Sequence, residues 1–466
     1  MISVNTSNDN IIAIATPSGS GAIGVIRLSG PDCISVVDNF FFGKNLTKVE
    51  GHTVHYGKLK DAEGYIIDEC VATVFRAPRS YTKEDVVELS CHGSQYILNQ
   101  VVKLFLGAGV RFAEPGEYTM RAFLHGQMDL VQAEAVADLI ASETKAQHDI
   151  AMHQMRGGFS KSITILRDQL IHFASMLELE NDFGEEDVEF ADRTELMKLA
   201  DTSRRHIREL IQTFDYGNAM KQGVPVAIVG RPNVGKSTLL NTLLQEDKAI
   251  ISDIPGTTRD VIEDTLTIDG VLYRFIDTAG LRSTTDKIES IGIEKTYQKI
   301  DQAQIIIYMD EIEEDHMAII DRYKNINLPT DTSKIILLTK SDTFHACHTY
   351  DVEEAVSTLL DRTPTISISA HNGTGIDVLK KSLTSIVQSM HTQNSDVVVT
   401  NLRHYSALNK ILGSLDNVSE GIPAGISSDF IAMDIRHALH YIGEISGEVS
   451  TDDLLDNIFG NFCIGK

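Results

Sequence analysis

Gly230-Arg231-Pro232-Asn233-Val234-Gly235-Lys236-Ser237 follows an apolar run, Val226-Ala227-Ile228-Val229, and leads into Thr238-Leu239-Leu240-Asn241-Thr242-Leu243-Leu244, which reads as a helix. A strand, a glycine-bounded loop, Gly-Lys-Ser and a helix, in that order, make a phosphate-binding loop. Backbone N–H groups of the loop and of the helix N-terminus converge on one place and favour an anion there. Lys236 adds a point charge near the β- and γ-phosphates, and the Ser237 hydroxyl is a candidate Mg²⁺ ligand.

Four segments downstream fit a GTPase by their order and spacing. Asp253-Ile254-Pro255-Gly256-Thr257-Thr258-Arg259-Asp260 is a switch-I candidate, whose threonine hydroxyl and carbonyl can reach Mg²⁺ and the γ-phosphate. Asp277-Thr278-Ala279-Gly280 ends an apolar strand; Asp277 can hold Mg²⁺ through water and the Gly280 N–H can bond the γ-phosphate. Thr339-Lys340-Ser341-Asp342 ends another strand, where the acceptor-only carboxylate of Asp342 can take two donors from guanine while the Lys340 stem packs on the ring. Ser369-Ala370 follows the next strand, with His371 beside it, and offers backbone N–H to the guanine carbonyl. Each string is weak by itself. Together, each at a strand end, they are specific, because α/β sheets bind ligands at that edge. The GTP contacts expected are Asn233, Val234, Gly235, Lys236, Ser237, Thr238, Ser252, Asp253, Ile254, Pro255, Gly256, Thr257, Thr258, Asp277, Thr278, Ala279, Gly280, Thr339, Lys340, Ser341, Asp342, Ser369, Ala370 and His371.

Two departures from the usual pattern matter. Thr339 stands where this motif usually has Asn, so guanine choice rests on Asp342 and the amide bridge to the phosphate loop is lost. Leu281 stands where small signalling GTPases carry a water-orienting glutamine, and it cannot orient water. Glu289, in Asp286-Lys287-Ile288-Glu289-Ser290, reads on composition as an ordinary surface acid, or else as a group acting through a bridging water. A monovalent cation could replace an arginine finger, with oxygen donors from Asn233, the switch-I carbonyls and the Ser252 hydroxyl.

The rest of the chain divides around this block. Residues 11 to about 125 alternate strands and helices in a mixed α+β pattern, with strands at Ile11–Pro17, Ala22–Gly30, Thr53–Gly57, Cys70–Phe75 and Val86–Gly93. Gly19 to Gly24 spells GxGxxG, but no helix follows it, which argues against a dinucleotide-binding turn. From Glu117 to about Ala219 the pattern is helical, with Leu130–Ile140 one helix and Thr144–Leu179 continuing it. Glu185-Glu186-Asp187-Val188-Glu189 is an acidic run read as a solvated surface, with no metal assigned. Residues 222 to about 385 alternate strand and helix, which predicts a mostly parallel sheet covered on both faces. Asn401–Ser414, Asp429–Ile445 and Thr451–Gly460 read as helices again, so one helical domain is expected to be split by an insert.

The 466 residues, 42% hydrophobic and 23% charged, suit about three globular domains. No apolar run reaches the roughly 18–20 residues of a membrane span. The polar first ten residues carry no basic side chain and read as neither a secretory signal nor a transit peptide. The five cysteines form no CxxC pair, which points to a reducing, cytoplasmic compartment. A net charge of −25 argues against broad non-specific nucleic-acid binding; an RNA substrate would have to meet a local basic patch or a basic partner.

Three further stretches carry a resemblance over essentially the whole chain: Ile14-Ala15-Thr16-Pro17…Gly21-Ala22-Ile23-Gly24-Val25-Ile26-Arg27; Pro115-Gly116-Glu117-Tyr118-Thr119-Met120-Arg121 with Asp129-Leu130-Val131-Gln132-Ala133-Glu134-Ala135; and Phe462-Cys463-Ile464-Gly465-Lys466. With them the chain resembles the MnmE (TrmE) family of tRNA wobble-uridine modification GTPases. The resemblance implies an N-terminal α+β folate-binding and dimerisation domain at 1–125, a helical domain in two parts at 126–220 and 386–466, and an inserted Ras-like α/β P-loop G domain at 221–385. It implies K⁺-stimulated GTP hydrolysis, with Asn233, Ser252, Ile254 and Thr257 around K⁺, Ser237 and Thr258 on Mg²⁺, and Glu289 orienting water. It implies a tetrahydrofolate one-carbon donor (5-formyl- or methylene-tetrahydrofolate) at Arg27, Glu88 and Lys466, with Gln127 where the family has lysine, and a modification role for Cys463. The partners implied are a second copy of the chain, an FAD-dependent protein of the MnmG type in a heterotetramer, and tRNA. A ribosome-assembly GTPase of the Era or EngA type is the alternative; a single phosphate loop and the acidic charge weigh against it.

Overall fold

The computed structural model describes residues 9–182, 193–247, 264–276, 300–313, 315–326, 328–330, 332–343, 346–390, 397–460 and 462–465. They form two compact units. One comprises Met1–Ala141, Ala151–Arg204 and Ala407–Lys466; the other comprises Ser142–Ile150 and Arg205–Ser406.

The first unit contains a seven-stranded sheet of β1 (Ile11–Ile14), β2 (Ile23–Ser29), β3 (Phe41–Phe42), β4 (Thr53–Lys60), β5 (Ile66–Phe75), β6 (Val86–His92) and β7 (Arg111–Phe112), in the order β3-β4-β5-β6-β2-β1-β7. All neighbours are antiparallel except β1 and β7. Period-two alternation turns Cys70, Ala72 and Val74 of β5 into the core. The helix Gln95–Gly107 covers them with Leu98, Val101, Val102 and Phe105, spaced to share one helical face. Burying each such aliphatic side chain contributes roughly 1.5–3 kcal/mol. Gly24 lies inside antiparallel β2, under Leu98, where a Cβ would come within 2.7 Å of the leucine. The GxGxxG string therefore runs from a loop into β2 and opens no helix.

The helical part of this unit joins segments far apart in sequence. Helix Gly158–Asp182 buries Phe159, Ile163, Leu166, Leu170, Phe173 and Leu177, and it packs against Ser428–Ser446, which buries Ile431, Ile435, Ala438 and Ile442. The continuous helix expected over Thr144–Leu179 is broken into Lys145–Met155 and Gly158–Asp182. Gly157 makes the break, with a left-handed φ of 81°. The Gln132 amide donates to the freed Met155 carbonyl at 3.1 Å.

The second unit holds β8 (Val224–Gly230), β9 (Asp264–Ile268), β10 (Val271–Ile276), β11 (Ile305–Glu311), β12 (Ser333–Thr339) and β13 (Thr365–Ser367), in the order β13-β12-β11-β8-β10-β9. Only β9 runs antiparallel. Both faces are buried, as the unbroken apolar strands require. Val226, Ile228, Ile305, Ile307, Ile335 and Leu337 enter one core, while Ala227, Val229, Ile306, Tyr308, Ile336 and Leu338 enter clusters on the opposite face. Parallel β8, β11, β12 and β13 thus deliver the loops that follow them to a single edge of the sheet. Among the described residues no helix is long and apolar enough to cross a membrane, and no cluster of His, Cys, Asp or Glu has the make-up of a metal site.

Candidate functional site

The loop after β8 turns sharply. Asn233 and Gly235 take left-handed φ values of 67° and 97°, and Gly230 sits so close to β11 that a Cβ would lie 2.2 Å from the Met309 carbonyl. The helix Lys236–Asp247 starts directly from this turn and is anchored by buried Val234 and Leu239. Lys236 leans back over the loop and donates to the Arg231 carbonyl at 2.8 Å and to that of Gly230. Burial pushes its ammonium pKa down. Asn233, Ser237 and Thr238 are exposed around the same turn, so amide and hydroxyl oxygens are available to a cation there.

The loops after β12 and β13 emerge at the same sheet edge, with β11 lying between β12 and β8. Lys340 has a left-handed φ of 60° and pairs with Glu311, and the following turn, Ser341–Thr343, presents Asp342 to solvent. The Ser341 N–H donates to the Ile368 carbonyl at 3.2 Å, which ties this turn to the next strand. The Ser369 hydroxyl, followed by Asp342's own backbone N–H, holds the Asp342 carboxyl below the usual carboxylate range. That hydroxyl is near the carboxylate without hydrogen-bond geometry and makes no other bond. The carboxylate therefore stays ionised and acceptor-only at neutral pH, as recognition of two adjacent N–H donors needs. His371 is exposed and bonds Asn372 at 2.9 Å. A link that no sequence motif flags joins the two halves: the Thr242 hydroxyl, on the phosphate-loop helix, donates to the Ala370 carbonyl at 3.1 Å.

Several expected residues lie outside the described ones: Ser252, Asp253, Ile254, Pro255, Gly256, Thr257, Thr258, Asp277, Thr278, Ala279, Gly280, Leu281, Glu289, Lys466 and the acidic run at 185–189.

In the seven-stranded sheet, Arg27 on β2 faces Glu88 on β6 directly across the ladder. Its Nε and Nη2 meet Glu88 Oε1 at 2.9 and 2.8 Å, and its Nη1 donates to the Gly465 carbonyl at 3.1 Å. The guanidinium also lies over the rings of Tyr81 and Tyr118, at 5.8 and 5.6 Å from their centroids. Gly465 is left-handed, with φ 98°, and a Cβ there would come within 2.8 Å of the Ile14 carbonyl, so the segment Phe462–Gly465 lies against the end of β1. Cys463 is exposed, two residues from that contact. Sequence positions more than 400 apart thus meet at one side chain. The Gln127 N–H donates to the Ala122 carbonyl at 2.8 Å, and among the described residues its side chain makes no hydrogen bond to Arg27 or Glu88.

Residues 10–127 match the family model of the GTP-binding protein TrmE N-terminus, and residues 130–463 match that of the MnmE helical domain. The chain belongs to the MnmE family. Among its MnmE relatives, the tRNA modification GTPase MnmE of Cytophaga hutchinsonii is 50% identical over 467 residues, covering 99% of both chains. That of Bacteroides thetaiotaomicron is 50% identical over 471 residues, covering 99% of this chain and 100% of the relative. The solved G domain of the T. maritima FeoB iron transporter is similar over 35% of this chain and 99% of its own length, at 22% identity and a TM-score of 0.26.

Proposed function

We propose that the chain is a K⁺-stimulated GTPase that acts in tRNA modification. With an FAD-dependent partner it would install an aminomethyl-type group, such as carboxymethylaminomethyl, on C5 of the wobble uridine, using a tetrahydrofolate one-carbon donor. The observation that carries the GTPase reading is the shared sheet edge, where the Lys236 loop and the Asp342 turn stand together. Membership of a family whose relatives are named tRNA modification GTPases supports the choice of substrate.

The described residues suit the groups this reading needs. Ser237, exposed in the first turn of the phosphate-loop helix, would ligate Mg²⁺, joined by Thr258. Asn233 supplies a hard oxygen for K⁺, with Ser252, Ile254 and Thr257 completing the shell. K⁺ would neutralise charge developing on the phosphates. Lys236 would hold the β- and γ-phosphates, Asp342 the guanine edge, and Glu289 the attacking water. Glu88 is a carboxylate acceptor for the amino-pyrimidine edge of a pterin, and Arg27 a donor for a carbonyl or carboxylate; Lys466 would close the site and Gln127 would contribute at its rim. In this proposal a homodimer forms through the N-terminal domain, residues 1–125, and the G domain, 221–385, is inserted between helical parts 126–220 and 386–466.

One experiment separates the parts of this reading. Cys463→Ser is expected to keep GTP hydrolysis, slowed when Na⁺ replaces K⁺, while wobble-uridine modification, read by nucleoside mass spectrometry in a deletion strain carrying the variant, is lost. Full modification by the variant would remove Cys463 from the chemistry, and equal rates in Na⁺ would remove the cation.

A further inference from the structure

The motif Thr339-Lys340-Ser341-Asp342 lacks the asparagine amide that would bridge base reading to the phosphate loop, and the structure holds another route between them. Asp310, next to last in β11, is fully buried at 0% exposure. A buried carboxylate needs several donors, and this one has them. Arg231, the second residue of the phosphate loop, meets Oδ1 through Nε at 3.0 Å and an Nη at 2.7 Å. Arg322 Nε and the Tyr308 hydroxyl meet Oδ2 at 2.7 and 3.0 Å, and the Glu311 N–H meets Oδ1 at 2.9 Å. The same residue also grips the other motif. The buried Thr339 hydroxyl donates to the Asp310 carbonyl at 3.1 Å, the Ile312 N–H donates to the Thr339 carbonyl at 3.1 Å, and Glu311 pairs with Lys340.

We propose that Asp310 is a positioning residue that couples the guanine-reading turn to the phosphate loop, through the relay Thr339–Asp310–Arg231. This rests on the GTPase reading. A threonine hydroxyl has a single proton to donate, and here it goes to the Asp310 carbonyl. The remaining distance is spanned by the Asp310 carboxylate and the long arm of Arg231, through charge-assisted, partly buried bonds that fix geometry well. Asp310 touches no nucleotide on this view. It sets where the loop's N–H groups point when the base is held, so base recognition and phosphate binding reinforce each other.

Asp310→Asn is the obvious variant, but it also disturbs Arg322, which would be left with Glu313 at 3.3 Å as its carboxylate partner. Thr339→Val and Arg231→Met cut the relay at its two ends and leave Asp310 paired with Arg322. In the full-length chain, titrated with the non-hydrolysable analogue GppNHp, each should lower affinity about three- to tenfold. The double variant should lose no more than Arg231→Met alone, because one broken link already uncouples the ends. Thr339→Asn, which restores an amide of longer reach, should bring Arg231→Met back to within about twofold of wild type. Losses that multiply in the double variant, or affinities unchanged in both single variants, would overturn the relay while wild-type binding leaves the GTPase reading standing. No binding by the wild-type chain would overturn that reading, and the relay with it.

Discussion

In the seven-stranded sheet the buried charges close on one another. Arg121, 2% exposed, contacts Asp9, Glu84 and Glu117, and Arg111 reaches Asp9 and Glu117 in turn. Ser29 and Thr82 join Glu84 through a 2.6 Å bond and a 2.7 Å hydroxyl pair. Asp9, Glu84 and Glu117 each have an arginine, and the network pins the start of β1 to helix Glu117–Leu124. At the edge of the six-stranded sheet, beside the buried Asp310, a second set of polar groups is instead turned outward: Asn233, Ser237 and Asp342 stand at left-handed or helix-initiating positions and face solvent. The difference separates two uses of charge. A satisfied, buried network fixes one packing and leaves nothing for a ligand. An exposed set on a rigid strand edge keeps its bonding capacity for something else. Arg27 lies between these cases, since it is paired with Glu88 yet remains partly accessible.

This contrast can be broken by a variant whose effect crosses from one property to the other. The largest effect is expected for Glu117→Ala, which removes a 1%-exposed carboxylate from between two arginines. Chemical denaturation should show about 3 kcal/mol of lost stability with nucleotide affinity unchanged. Low pH probes the same network. Burial opposes ionisation of Asp9 and Glu117, but the bonds from Arg111 and Arg121 outweigh it and hold both carboxyls below their ordinary values of 3.8 and 4.5. Their stabilisation is therefore complete above those values and is lost as pH falls through the lowered ones, so Glu117→Ala should flatten the acid limb of the stability profile.

Asp342→Asn should do the reverse. If Asp342 reads guanine as proposed, this exchanges an acceptor for a donor opposite the base and should cost on the order of 10²-fold in GTP affinity, measured by titration, at unchanged melting temperature. A comparable fall in stability would show that the exposed turn also carries the fold. The smallest effect is expected at Gly157. Alanine at its left-handed φ should cost about 1–2 kcal/mol in thermal unfolding and leave GTP affinity alone. No cost would mean that the two helices it separates can join.

The sequence was legible wherever chemistry is local. The phosphate loop and the alternation of strand and helix over 222 to about 385 follow from short-range periodicity and spacing, and the structure has the mostly parallel sheet this predicts. The exclusion of a dinucleotide turn at Gly19–Gly24 likewise needed only the absence of a following helix. The break at Gly157 was hidden, because an apolar pattern continues across it and one glycine inside a helical pattern is often tolerated.

By itself, then, the sequence determined the phosphate loop and the alternation of elements around it, since these depend on residues a few positions apart. Only the tertiary structure decided which distant groups meet. The carbonyl of Gly465 comes to Arg27, Thr242 to Ala370, and Asp310 to Arg231 and Thr339. The reason is geometric. A strand register or a helix contact brings together residues tens to hundreds of positions apart, and the hydrogen bonds made there leave no periodic trace in the chain that could announce them.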